Sequence, residues 1–241
     1  MNDFASLRAD HILYGLDCMI SFAEFADDRQ VAFDLGAGTV TVENEAVAVS
    51  VVGSWAGPPT SSWLWAWANP GWRDLPPQTL SAAHVIQGLA SLTGEPRFST
   101  AEIPMDNDTF GFEVTAIACG LTSAAGATGH QHSGGSAFFV LPTLPRGTSD
   151  EVSRHVRVIA QGLQSYEVDH RRAVSSYLSK VGYDLTESQT EIVATRPDAV
   201  VTATFDELGR LTACNFKAGP SSEPPAAVSY THLTLPTTPY V

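Results

Sequence analysis

The chain has 241 residues, 13 Lys and Arg against 26 Asp and Glu, a net charge of -13, 44% apolar residues and 16% charged residues. This composition excludes a largely disordered protein, and the length allows one large domain or two small ones, each with a real core. A chain with so few basic residues cannot neutralise a run of phosphates. We therefore expect no nucleic-acid partner and no attraction to an anionic membrane.

The cysteines and the N-terminus predict a cytoplasmic protein. Cys18, Cys119 and Cys214 are odd in number and far apart, which is typical of free thiols in a reducing compartment. Residues 1–11 are polar and acidic and lack the basic start and apolar stretch of a signal peptide. The most apolar stretch, residues 12–26, is interrupted by polar side chains and is too short to cross a bilayer.

The last fourteen residues have an unusual sequence. The ten residues Val228–Thr237 are identical to one reading frame of a common transposase-based sequencing adapter, and Ala227 is compatible with the codon that would precede it. We therefore interpret residues 228–241 as translated adapter and exclude them from the fold. It follows that residues 1–227 are native and that the gene is expected to continue beyond them.

Residues 1–147 are predicted to form an α+β domain, a mostly antiparallel sheet with helices on one side. Hydrophobic periodicity predicts a first helix over Asp3–Ala26. Four β-rich runs punctuated by glycine, asparagine and proline then predict an antiparallel meander. These runs are Val31–Leu35, Thr39–Glu43, Ala46–Ser54 and Ser62–Ala68.

Two helices and a hairpin complete this domain. A second helix is expected from Pro76 to Leu92, and a third after Asn107 or Asp108, which are plausible N-caps. The small residues of the third helix predict a close approach to the sheet; they are Ala116, Ala118, Gly120 and Ala124. Residues 127–141 predict two strands around a Ser-Gly-Gly turn.

Residues 148–227 predict a second, truncated helix-plus-meander unit. Thr148 and Glu151 have the spacing of a capping box, and a helix, or a pair broken near Ser165, should follow. Three strands are expected after it: Glu191–Thr195, Ala199–Phe205 and Arg210–Phe216.

The most distinctive segment is Trp63-Leu64-Trp65-Ala66-Trp67-Ala68-Asn69. Strand alternation places Trp63, Trp65 and Trp67 on one face, and Leu64 with two alanines on the other. Three adjacent indoles form either part of the core or a stacking platform for a ligand. If they are core, the small opposite face should receive a closely docked helix.

This tryptophan run follows Val51-Val52-Gly53-Ser54, and it precedes a helix around Ala116–Cys119 and a hairpin ending in Phe138-Phe139-Val140. In these features the chain resembles an uncharacterised bacterial family, a domain of unknown function, over residues 13–141. The resemblance implies an α+β architecture and brings no activity and no catalytic residues. The region after Pro145 lies outside it.

Metal and cofactor motifs are absent from the sequence. His130 and His132 lie two apart beside a glycine turn, without a third ligand at a suitable spacing, so we interpret them as a solvent-facing hairpin end. Residues 106–108 lack the donors of a calcium loop and are predicted to cap a helix. We expect neither a metal nor a cofactor.

Two hypotheses about function remain open. The first is a non-catalytic protein that binds a small molecule or a protein partner, with Trp63, Trp65, Trp67 and Asn69 as candidate binding residues. The second is an enzyme with a pocket beside the tryptophan strand, for which Glu113, His84, Asn69 and Trp65 are the candidate residues.

Overall fold

The computed structural model describes residues 3–145 and 152–218. Contacts divide the chain into two compact units, residues 1–147 and 148–241, which are described separately below. The described residues form five α-helices and three sheets in which all neighbouring strands are antiparallel. The predicted α+β class is therefore confirmed. The proposed capping box at Thr148 and the adapter-like tail at 228–241 lie outside the described residues.

The first unit begins with helix α1, Phe4–Ala26. The carboxylate of Asp3 accepts a hydrogen bond from the Ser6 amide at 2.8 Å and caps the helix, as Asp does at N-termini. The helix ends where Asp27 adopts a positive φ of 29°. These bounds confirm the predicted first helix.

A small sheet follows α1. Its strands are β1 (Val31–Asp34), β2 (Thr39–Val42) and β3 (Glu45–Ala48), paired in that order. The next strand, β4 (Ser50–Ala56), belongs to a different sheet, so the predicted four-stranded meander is wrong. The apolar run Ala46–Ser54 therefore contains the end of one sheet and the start of another.

The larger sheet has five strands in the order β6-β5-β4-β8-β7. Its other strands are β5 (Ser62–Trp65), β6 (Glu102–Pro104), β7 (Gly126–His132) and β8 (Gly135–Leu141). The β7–β8 hairpin confirms the sequence prediction. Strand β6 was not predicted, and the strand predicted to reach Ala68 ends at Trp65, because residues 66–68 form a 3-10 turn.

Two further helices belong to this unit, α2 (Ser81–Thr93) and α3 (Thr109–Thr122). Both lie where the sequence predicts them. Gly15 of α1 meets Ala116 of α3 so closely that a Cβ at Gly15 would lie 2.2 Å from the Ala116 Cβ. At Ala116, the small side chain therefore permits a close contact with α1.

The main core of the first unit lies on one face of the five-stranded sheet. Helices α1 and α3 pack there against Trp63, Trp65 and Phe138, none of which has exposed surface. Burial of large aromatic side chains is the largest hydrophobic gain per residue that a sheet can obtain. The tryptophan face is thus the face that the helices cover.

The second unit contains helices α4 (Val152–Ser165) and α5 (His170–Lys180) and a four-stranded meander in the order β12-β11-β10-β9. The strands are β9 (Asp184–Glu187), β10 (Glu191–Arg196), β11 (Ala199–Phe205) and β12 (Leu211–Ala218). The sequence predicted the last three of these strands and missed β9. The predicted break near Ser165 is confirmed.

Candidate functional site

The five-stranded sheet presents a second face, opposite the tryptophan face. Strand register places two rows of residues across it: Glu102, Leu64, Ser54, Ala137 and His130, and then Pro104, Ser62, Ala56, Gly135 and His132. We call these ten residues the open face. Its outer members Glu102, Pro104, His130 and His132 are exposed.

Side chains become smaller towards the middle of the open face, and we call this middle region the trough; its residue Ala137 is buried, with 8% of its surface exposed. The central strands β4 and β8 carry only small side chains there: Ser54, Ala56, Gly135 and Ala137. Larger side chains stand on the outer strands, Leu64 on one side and His130 on the other. With a strand spacing of about 4.8 Å, the distance from β5 to β7 is about 14 Å, enough for a ring-sized group.

An aromatic cluster lies at one end of this trough. Phe139 is stacked against Phe33 with ring centroids 4.6 Å apart, and the His130 ring lies 5.0 Å from Phe33. Further partly buried apolar side chains pack around the same buried cluster; they are Leu35, Trp67, Trp72 and Leu75. The trough therefore joins apolar, aromatic surface to polar groups at its rim.

The four candidate binding residues occupy three different environments. Trp63 and Trp65 are fully buried on the covered face, so a ligand would reach them only if the core opened. Trp67 lies in the 3-10 turn and packs against the clusters on both faces of the sheet. Asn69 forms the next turn, where its side-chain oxygen accepts a hydrogen bond from the Gly71 amide at 2.9 Å.

Of the small residues predicted opposite the tryptophans, Ala66 packs in a buried cluster with Ala83 of helix α2. Helices α1 and α3 lie on the tryptophan face, while Leu64 and Ser54 on the other face remain partly exposed. The predicted helix packing is therefore found at Ala66, next to α2, and Leu64 stays partly exposed.

The tryptophan N–H groups differ in whether they have a hydrogen-bond partner. The Trp65 indole donates to the Arg97 carbonyl oxygen and the Trp55 indole to the Met105 carbonyl oxygen, each at 2.9 Å. The buried N–H groups of Trp63 and Trp67 have no hydrogen-bond partner in the described part of the chain. A buried donor without a partner costs about 1–3 kcal/mol.

The residues considered for catalysis have separate structural partners. Glu113 forms an ion pair with Arg8, with 2.7 Å between the carboxylate oxygen and the guanidinium nitrogen. The Nδ1 atom of His84 lies 3.2 Å from the Oε1 atom of Gln87 on the same helix. Trp65 is bonded to a backbone carbonyl, and Asn69 to its own turn. The hydrogen bonds of the described residues therefore do not join any two of these four into an acid–base pair.

The histidine pair and the acidic triplet have the environments that the sequence predicts. His130 and His132 are exposed at the β7–β8 hairpin end, and the described residues contain no group of three potential metal ligands. At the start of α3, the Asn107 side-chain oxygen accepts from the Thr109 amide at 3.0 Å. Asp108 accepts from the Ser136 hydroxyl at 3.1 Å.

One buried polar cluster lies on the helix side of the sheet. The hydroxyl of Tyr14 and the thiol of Cys18 both donate to the Ala124 carbonyl oxygen, at 2.9 and 3.2 Å. Burial raises the pKa of Tyr14 well above its usual value, and the neighbouring thiols add to the effect. This phenol stays protonated at neutral pH, as a structural donor to the end of α3.

Comparison with known proteins identifies a family and gives no activity. A family of unknown function, DUF6882, matches residues 5–144. The chain belongs to this family. The matched range contains α1, both sheets of the first unit and the open face, so the DUF6882 region is the first unit. The sequence resemblance to a domain of unknown function is thereby confirmed. No curated protein and no solved structure matches the chain.

Membrane-spanning segments were also considered. Within residues 3–145 and 152–218, none of the helices combines the length and the hydropathy needed to cross a bilayer.

Proposed function

We propose that this DUF6882 protein is a non-catalytic recognition protein of the bacterial cytoplasm, and that its DUF6882 region binds a small, flat ligand on the open face. The observation that carries the proposal is the distribution of side-chain size: small residues on β4 and β8 lie between Leu64 of β5 and the two histidines of β7. Ligand sites are typically concave, with apolar walls and a few polar groups. The free cysteines support the reducing compartment.

The chemistry of the rim favours a ring that carries hydrogen-bonding groups. His130 and His132 stand on one side and Glu102 on the other, where Glu102 accepts from the Ser62 hydroxyl at 2.6 Å. Leu64 and the small floor residues offer apolar contact between them. A ligand with an apolar ring face and polar groups at opposite edges matches this arrangement.

The proposal is tested by NMR on the full chain with labelled alanine methyl groups. The probe is a library of single-ring fragments with polar substituents. We expect some fragments to shift the methyl signal of the partly exposed Ala56 and to leave Ala116 and Ala118, buried in α3, unchanged. Fragments that shift only other regions, or a library without any binder, would contradict the proposal.

A variant pair makes the assignment specific. Ser54→Trp places a large side chain over the floor of the trough and should abolish the fragment-induced shifts. Thr195→Trp puts the same side chain on an exposed strand position of the second unit and should leave the shifts intact. Loss of the shifts in both variants would mean that they report general destabilisation.

A further inference from the structure

The second unit ends its sheet in two very different edges. Strand β9 has four residues, of which Asp184 and Glu187 are acidic. Strand β12 at the other edge has eight residues, contains no proline and has Lys217 as its single charged residue. Proteins commonly protect edge strands by shortness, charge or proline. By these criteria β9 is protected and β12 is not.

The direction of the backbone groups on β12 follows from its partner β11. The Phe205 amide donates to the Thr190 carbonyl oxygen at 2.8 Å, so Phe205 directs its backbone groups towards β10. Alternation then directs Thr204, Thr202 and Val200 towards β12, where they pair with Ala213, Asn215 and Lys217. The backbone groups of Cys214, Phe216 and Ala218 therefore point away from the sheet, along an edge that no described strand covers.

The side chains on this edge are incompletely covered. Phe216 lies opposite the buried Val201, on the face against which α4 packs, yet 37% of its surface is exposed. Cys214 on the same face lies opposite Ala203 and is partly exposed. A further strand beside β12 would pair the free backbone groups and also cover the Phe216 ring.

We propose that two copies of this chain associate through their β12 strands, paired antiparallel about a two-fold axis. A two-fold axis near Cys214 or Asn215 places Lys217 of one copy opposite Leu211 or Ala213 of the other, so no like charges meet. The same pairing through β9 would bring the Asp184 and Glu187 carboxylates of both copies together along an edge only four residues long. Charge therefore permits self-association at β12 and opposes it at β9 in this acidic chain.

The test is sedimentation equilibrium of the full chain. We expect a reversible dimer that dissociates in roughly the micromolar range, as for interfaces of small size. Phe216→Pro removes an outward amide without removing a bond to β11, and it should weaken the dimer by about tenfold or more. Phe216→Leu keeps the amide and should retain most of the association. A wild-type chain that stays monomeric, or an unaffected Phe216→Pro dimer, would overturn the proposal.

Cross-linking provides a second readout that does not depend on proline. In a Cys214→Ser background, Asn215→Cys places a thiol on an exposed position of β12, and a short bifunctional thiol reagent should link two copies. The matched control Thr186→Cys lies on β9, at the other edge, and should not be linked. Cross-linking through Thr186→Cys but not through Asn215→Cys would place the contact elsewhere and refute the β12 interface.

Discussion

The crossing of α1 and α3 offers the sharpest test of the core geometry, through Gly15→Ala. A Cβ at position 15 would lie 2.2 Å from the Cβ and 2.3 Å from the Cα of Ala116, whereas ordinary carbon contacts are about 3.5–4.0 Å. The obstacle is backbone and the first side-chain carbon, neither of which can rotate away. The two helices must therefore separate by about 1 Å or more.

The magnitude follows from two opposing effects. Replacing a helical glycine by alanine gains about 1 kcal/mol of helix propensity. Overpacking a close contact costs about 1–3 kcal/mol, and separating the helices also loosens the contacts of Phe4 and Leu7 with the main core. We expect Gly15→Ala to lower the free energy of unfolding by about 2 kcal/mol, which is a fall of about 4–8 °C in Tm for a unit of this size.

The assay is urea unfolding followed by tryptophan fluorescence. All five tryptophans lie between residues 55 and 72, so the signal reports the first unit alone. The control is Gly88→Ala on α2, where an added Cβ meets nothing within 4 Å, and it should stabilise the unit by about 0.5–1 kcal/mol. If Gly15→Ala is as stable as the wild type, or stabilises like Gly88→Ala, the close helix crossing is wrong.

Four other substitutions have defined expectations. Trp65→Phe loses a buried hydrogen bond and should lower the free energy of unfolding in urea by about 2–3 kcal/mol. Trp67→Phe removes a donor without a partner and should lower it by less than about 1.5 kcal/mol. Equal losses would contradict this difference in hydrogen bonding between the two indoles. Glu113→Gln should cost about 1 kcal/mol or less, and a larger loss would show a stronger ion pair. Burial lowers the pKa of His170, whose neutral ring accepts a hydrogen bond from the Leu211 amide. The stabilisation from this neutral ring is therefore complete above about pH 6.5 and is lost as the pH falls below that value. After correction for the intrinsic pH dependence of amide exchange, the Leu211 amide should be less protected at pH 5.5 than at pH 7.5. His170→Gln should reduce this difference in protection, and an unchanged difference would exclude His170 as its cause.

Most elements of the fold could be predicted from local patterns, because long helices and β-branched runs carry strong periodicity. The break between β3 and β4 could not, since residues 46–54 form one apolar run. What divides it is a long-range contact: the Ser50 hydroxyl accepts from the Ala82 amide at 2.9 Å and fixes the start of β4 at the start of α2. Strands β6 and β9 were missed because each contains a single aliphatic residue, Ile103 or Leu185, which gives no alternation.

The open face could be predicted only in part. Alternation correctly separated Trp63 and Trp65 from Leu64, but it does not say which face the helices cover. The floor of the trough depends on the register of β4 against β8, which sets Ser54 opposite Ala137, residues 83 positions apart. The sequence shows small residues among large ones in these strands. They form one surface only when the strands are aligned.

Solvent paramagnetic relaxation tests the central claim, that the sheet is covered on its tryptophan face and accessible on the other. A soluble gadolinium chelate added to the methyl-labelled full chain relaxes methyl groups according to their distance from solvent. We expect strong relaxation of Leu64 and Ala56, and little for Val52 and Val140, which lie on the covered face with at most 1% of their surface exposed. Equal protection of all four methyl groups would show that the open face is covered, and would contradict the proposed recognition surface.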